Sequence, residues 1–367
     1  MVSLIAAALL LAQAPPPAPT QPTVTFATLD PRWTVAFSAP PAAPAGFDAR
    51  AAYVPLKNGQ LLAIDLDRGT TRWHVEAATS LQPATGDGLV FIATENLIQA
   101  MDAMTGEVRW RAALAGGAAV PLYWDTGWLI ASTPAGDLAA FRAVDGALIW
   151  RQSLGAPLVA PPAPALDRLY FGLTDGRLIS SSLSTGEILW TRKIGGHVSG
   201  LLALDDQLVF GTTEKKVHSL DLLRGRERWK WRVGGDVAGL PIADEHRIYF
   251  ASRDNLLRAV DRKSGNLKWK ASLPSRPSSG PLSIAGLVVV PSVSTDVAAF
   301  DVETGKAGPV IKAAGEIGSQ PFLRADSRAT AARLITVSRD GLLQGFGLRF
   351  EAPPALLDVL PGERAAP

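Results

Sequence analysis

SLSTGEILW, from Ser182 to Trp190, is the stretch from which the architecture is read, because the chain repeats it. The G-x-x-x-W spacing recurs as Gly69–Trp73, Gly106–Trp110, Gly146–Trp150, Gly186–Trp190, Gly225–Trp229 and Gly265–Trp269. A seventh copy runs from Gly305 to Pro309, keeping the glycine and losing the tryptophan. Trp33 stands at the front of the ladder, and the tryptophan steps are 40, 37, 40, 40, 39 and 40 residues. A fixed period in a 367-residue chain predicts one closed array of repeats rather than two domains.

Each repeat has the same grammar. In Arg168 to Trp190 the order is RLYFG, then TDG, RLISSSL, STG and EILW. Short apolar runs alternate with turn signals at hairpin spacing. Asp175-Gly176 predicts a two-residue hairpin with positive φ, and Gly186 predicts the same freedom at the next turn. A further strand, such as HVSGLLAL from His197, precedes each unit. Four strands per repeat make a propeller blade, and no segment shows the 3.6 period of a helical solenoid. Eight central hairpins can be counted, the first from Tyr53 and the last from Leu334. The last has no G-x-x-x-W strand after it, and Trp33 has no hairpin before it. The fold class is therefore all-β, an eight-bladed β-propeller of four-stranded antiparallel blades. The N-terminal strand should close blade 8 by pairing near Gly345–Phe350, which removes an open edge. The tryptophans read as packing residues wedged between blades.

Residues 1–14 read as a secretory signal with an apolar core and small residues at a cleavage-like site. A Pro-rich linker over 15–30, the propeller over 31–350 and a flexible tail over 351–367 complete the expected organisation. No segment is long and apolar enough for a transmembrane span. With no cysteine in the sequence, disulfides, thiolate metal sites, cysteine nucleophiles and a lipid-modified N-terminal cysteine are excluded for these residues. A net charge of +2 lacks the basic stripe of a nucleic-acid binder. The densest basic stretch, RGRERWKWR from Arg224, reads as a strand that buries Trp229 and turns its bases to solvent, so no nucleic-acid partner is expected.

The unit A-x-D-x-x-T-G-x-x-x-W, complete in Ala100 to Trp110, resembles the tryptophan-docking repeat of PQQ-like (quinoprotein-type) propellers. Asp65, Asp221, Asp261 and Asp301 repeat its aspartate, whereas Arg142 and Ser182 depart from it. Within that class, length, blade count, closure and export signal are similar to the BamB-like family of outer-membrane assembly factors. That resemblance implies a non-catalytic envelope scaffold that presents loops to a protein partner such as a β-barrel assembly component. The family's lipobox cysteine and an enlarged inter-blade loop are absent. The other branch, quinone-dependent oxidoreductases that hold their cofactor over calcium, supplies the alternative reading: such an enzyme, or a non-catalytic relic of one.

A search for chemistry adds little. Asp65, Asp67 and Glu76 have partial calcium-loop spacing, but Gly69 and Thr70 stand where ligand and glycine are needed, so a turn is expected. The four histidines lack metal spacing, and no nucleophile elbow, phosphate loop or dinucleotide fingerprint occurs. No catalytic residue, metal or cofactor is expected. One constellation remains. In a blade the 4→1 linkers and 2→3 hairpins share a face of the disc. Aligning the inner strands puts His197, Asp236, Arg276 and Glu316 at equivalent places, joined by hairpin tips containing Glu214, Arg253, Asp254, Arg339 and Asp340. The equivalents on blades 3 and 4 are Gly117 and Pro157, with tips TPAG and TDG. A solvated rim and a partner-docking surface are both open readings. On the second, His197, Asp236, Arg253, Asp254, Arg276, Glu316 and Arg339 are the candidate contacts, with Arg253 and Arg276 as anchors. The expected product is a monomer, periplasmic or otherwise exported, soluble and not lipidated.

Overall fold

The computed structural model describes residues 28–324 and 334–349. The expected signal, the tail and residues 15–27 of the linker lie outside the described residues. Residues 28–30 belong to no linker, because the closing strand Thr28–Ala36 begins there.

Eight separate four-stranded antiparallel sheets make up the regular structure, seven of them hydrogen-bonded in chain order. Blades 1 to 7 span 46–76, 84–113, 123–153, 163–193, 198–232, 242–272 and 282–312. Blade 8 takes three strands from 322–349 and its outermost strand, Thr28–Ala36, from the other end of the chain. Trp33 lies opposite Gly345 in that pairing. Closure thus falls where the unpaired hairpin and unpaired strand require it.

Burial follows from the stacking of blades face to face. In blade 4 the middle strands Arg168–Gly172 and Arg177–Ser182 are buried along nearly their whole length, whereas the outer strand Ile188–Lys193 is almost entirely exposed. Strands covered on both faces need continuous apolar runs rather than alternation. Eight apolar clusters result, each joining two neighbouring blades, so the core is a ring with one segment per junction.

The Gly and Trp of the repeat form a lock across that junction. Each indole rests on the glycine of the next repeat: Trp33 on Gly69, Trp73 on Gly106, Trp110 on Gly146, Trp150 on Gly186, Trp190 on Gly225, Trp229 on Gly265 and Trp269 on Gly305. A β-carbon added at any of the seven would lie between 2.5 and 3.2 Å from the ring. The six later tryptophans also donate Nε1–H to a backbone carbonyl of that next turn at 2.8–3.3 Å. Trp33 Nε1 is buried without such an acceptor. An indole of about 150–250 Å², at about 25 cal/mol/Å², contributes roughly 4–6 kcal/mol of burial before entropy. The ladder also explains Pro309. A tryptophan there would need a glycine turn between the third and fourth strands of blade 8. Those strands come from opposite ends of the chain, so no such turn exists to receive it.

One turn differs from expectation. Asp175-Gly176 does not form a two-residue hairpin. Gly176 N–H donates to Leu173 O, Leu173 N–H donates to Arg177 O, and only Gly176 has positive φ, at 82°. That is a three-residue loop, a type I turn followed by a left-handed residue. Lys215 and Asn255 take the left-handed place, each with φ of 60°, in blades 5 and 6.

Candidate protein-docking rim

Backbone bonding tests the alignment of the inner strands directly. Thr213 N–H donates to His197 O, Arg253 N–H to Asp236 O, Val293 N–H to Arg276 O, and Arg339 N–H to Glu316 O. Thr174 and Pro157 make the same bond in blade 4, and Lys57 and Pro40 make it in blade 1. Each linker carbonyl is thus pinned beneath the hairpin tip of its own blade. The candidate residues of blades 5 to 8 therefore share one face and equivalent positions. Glycines make the contact close: Gly235 packs under Arg253 and Asp254, and Gly318 packs against Arg339.

The side chains differ in what they are free to do. Arg253 and Arg276 are exposed and carry no ion pair or side-chain hydrogen bond among the described residues; His197 is exposed too. Glu316 and Arg339 are exposed but pair with each other at 3.2 Å. Asp236 is half-buried. Asp254 is committed to its own blade. Its carboxylate accepts from Ser252 Oγ at 2.6 Å, from Gly234 N–H at 3.0 Å and from Arg258 at 2.7 Å. Burial alone would raise its pKa, but these donors hold it at about 2. Arg258, buried on the third strand, is the cation that neutralises it. Asp254 thus organises the turn that presents Arg253.

Sequence alignment missed Lys57. It occupies the same hairpin place in blade 1 as Arg253 does in blade 6, and its tip, LKNG, is visible in the same comparison. Lys57 borders a cavity of about 330 Å³ shared with Ser319 and Arg339, and a larger groove of about 600 Å³ bounded by Thr79, Glu95 and Gly117. The charged sector thus continues from blade 8 into blades 1 and 2, whereas the blade 3 tip is TPAG and the blade 4 tip pairs its Asp175 with Arg177 at 2.7 Å.

Other candidate chemistry resolves into structure. Asp65 accepts from Asp67 N–H and Arg68 N–H and pairs with Arg72 at 2.6 Å, which makes it a turn residue. Trp229 is buried, and Trp231 donates to Gly265 O at 2.7 Å from the same side of the strand. The central channel, about 520 Å³, is lined by Tyr123, Pro162, Pro164, Leu202, Leu240 and Gln320. Among the described residues no three His, Cys, Asp or Glu side chains come together as a metal site.

Seven docked tryptophans in an eight-bladed ring define a PQQ-like propeller. Comparison with known proteins narrows this. A family model described as outer membrane protein assembly factor BamB matches residues 27–122, 94–198 and 175–319, and the chain belongs to that family. A relative named outer membrane protein assembly factor BamB, from Nitrosomonas eutropha, is 27% identical over 181 residues. That alignment covers 46% of this chain and 44% of the relative, so the chain spans less than half the length of the curated relative it matches. The crystal structure of BamB from Moraxella catarrhalis superposes with a TM-score of 0.70 at 17% identity, covering 87% of this chain and all of that one. A quinohemoprotein alcohol dehydrogenase from Pseudomonas putida HK5 gives 0.68 at 13% identity, over 92% of this chain and 78% of that one. Both structural likenesses are of fold.

Proposed function

We propose that this protein is a non-catalytic scaffold that contributes to outer-membrane protein assembly, acting as an exported, unlipidated monomer on a protein partner in the periplasm. Family membership supports the process. The observation that carries the mechanism is the rim of blades 5 to 8, where exposed and unpaired Arg253 stands on a hairpin tip and Arg276 on a linker, each tied by a backbone bond between tip and linker of its own blade. A rigid turn loses little entropy on binding, and arginine is the cation most used as an interface anchor. The linker–hairpin bonds hold the backbone of these residues at fixed positions on the disc, so the ring works by display. The candidate contacts are His197, Asp236, Arg253, Arg276, Glu316 and Arg339, with Lys57 added.

A photoreactive amino acid placed at position 253 in living cells, followed by mass spectrometry of the adducts, tests this. The expected adduct is a component of the β-barrel assembly machinery. Capture of that component only from another face of the disc would overturn the choice of rim. Absence of protein adducts from every face would overturn the scaffold reading.

A further inference from the structure

Near-neutral net charge conceals a partition. The outer strands of blades 1 to 6 carry eleven Lys or Arg against two Glu, which leaves 25 bases against 32 acids for the rest of the chain. Ten of the eleven bases are exposed. Arg109, Arg151, Arg228, Lys230 and Lys268 each meet a carboxylate. Arg111, Arg192, Lys193, Arg232 and Lys270 meet none at ion-pair distance among the described residues, and of these Arg192 donates to Gly225 O at 3.1 Å and Arg224 O at 2.8 Å while its charge stays uncompensated. Four of these five lie on blades 4, 5 and 6.

Beside them the rim turns aliphatic. In blades 1, 2 and 6 the residue before the docked tryptophan is a base paired with the repeat's aspartate: Arg72 with Asp65, Arg109 with Asp102, Lys268 with Asp261. Blades 3 and 4 change both members together. The aspartate becomes Arg142 or Ser182, and the base becomes Ile149 or Leu189. The preceding residues are Leu148 and Ile188, so each strand opens with two aliphatic side chains, 38–56% exposed. Charged residues on an outer strand protect its edge, and here two adjacent edges carry none over their first two positions.

We propose that the outer rim of blades 3 to 6 docks on an anionic phospholipid surface. Leu148, Ile149, Ile188 and Leu189 enter the headgroup region, and Arg192, Lys193, Arg232 and Lys270 meet its phosphates. Charge complementarity selects the occupant, since cations flanking exposed aliphatic residues are the composition that binds anionic interfaces. A protein partner fits less well. Interface cores favour exposed aromatics and are depleted in lysine, whereas this rim spends its tryptophans on the blade locks and carries Lys193, Lys230, Lys268 and Lys270. The aliphatic pairs open their strands at the end away from the hairpin tips, whereas Lys193 and Arg232 lie across from Arg177 and Lys216, beside those tips.

The test is flotation of the full chain with phosphatidylethanolamine–phosphatidylglycerol vesicles, against phosphatidylcholine vesicles, in low and high salt. The wild type should float with the anionic vesicles at low salt and not with the neutral ones. Arg192→Glu, Lys193→Glu, Arg232→Glu and Lys270→Glu together should lower the partition coefficient about tenfold or more. Ile149→Ser with Leu189→Ser should remove the fraction that survives high salt. Charge reversal of Arg253 and Arg276, off this rim, should leave flotation unchanged. Circular dichroism of each variant confirms that the propeller is folded. Equal flotation with neutral vesicles, or equal binding by the quadruple variant and wild type, would overturn the proposal. So would a wild type that stays in the soluble fraction at low salt.

Discussion

Replacing Gly186 by alanine isolates the lock between blades 3 and 4. Its φ is 74°, in the left-handed region, and a β-carbon there would lie 2.5 Å from Cε3 and 2.8 Å from Cδ2 of Trp150. Two penalties therefore add. Holding alanine in the left-handed region costs about 1–2 kcal/mol, and forcing the indole away costs about 1–3 kcal/mol as overpacking. Gly155 separates the two. It has φ of 76° and nothing within 4 Å of the added carbon, so Gly155→Ala carries the backbone part alone. Trp150→Ala should itself cost about 3 kcal/mol, since it loses the Nε1 bond to Leu183 O at 2.8 Å as well as ring packing. In the Trp150→Ala background the steric part of Gly186→Ala disappears. The double variant should then be more stable than the sum of the singles by about 1–3 kcal/mol. Urea denaturation followed by circular dichroism reads all four states and the Gly155→Ala control. Additivity within about 0.5 kcal/mol, or equal costs at Gly186 and Gly155, would refute the lock.

Two further outcomes follow from the same geometry. Pro309→Trp should not raise the unfolding midpoint, because blade 8 has no glycine turn to receive an indole; a clear rise in a thermal melt would contradict that account. The Asp254 carboxyl, held at about 2 in the folded chain against an ordinary value near 4, should contribute about 2 kcal/mol above pH 4 that is lost as pH falls toward 2. Stability curves of wild type and Asp254→Asn should then converge in acid, and parallel curves would refute the assignment. The crosslink from position 253 and the vesicle flotation test the two surfaces.

The ring was legible in the sequence because the lock that builds it is written as a spacing. Gly186 and Trp190 stand four residues apart, yet Trp190 docks on Gly225, so the motif records a contact with the next repeat rather than within its own. Blade count, closure at Trp33 and the face shared by Arg253 and Arg276 all followed from that period. The hairpin at Asp175-Gly176 was less legible, since a left-handed glycine serves two-residue and three-residue loops alike, and the loop length depends on a bond from Leu173 to Arg177 that no local residue announces. The commitment of Asp254 to its own blade was hidden for a similar reason. Its neutralising partner, Arg258, lies within the following strand, where a charged residue has no local signature of burial. The cationic belt was invisible to net charge because its excess is balanced elsewhere in the chain.

The lock also explains where this propeller is free to differ from blade to blade. On the outer strands of blades 1 to 6 the tryptophan is held by the glycine of the next blade, and most of the strand's other side chains are exposed. Arg72, Ile149, Leu189 and Lys268 occupy the same place before the tryptophan without disturbing the docking beside them. Hairpin tips have the same liberty, because the bond from tip N–H to linker carbonyl uses only backbone, so Lys57, Thr174, Arg253 and Arg339 all make it. Stability and surface are thus carried by different positions of one repeat. A change of partner can be made by substitutions at the tips and outer strands, while the tryptophans and glycines keep the ring closed.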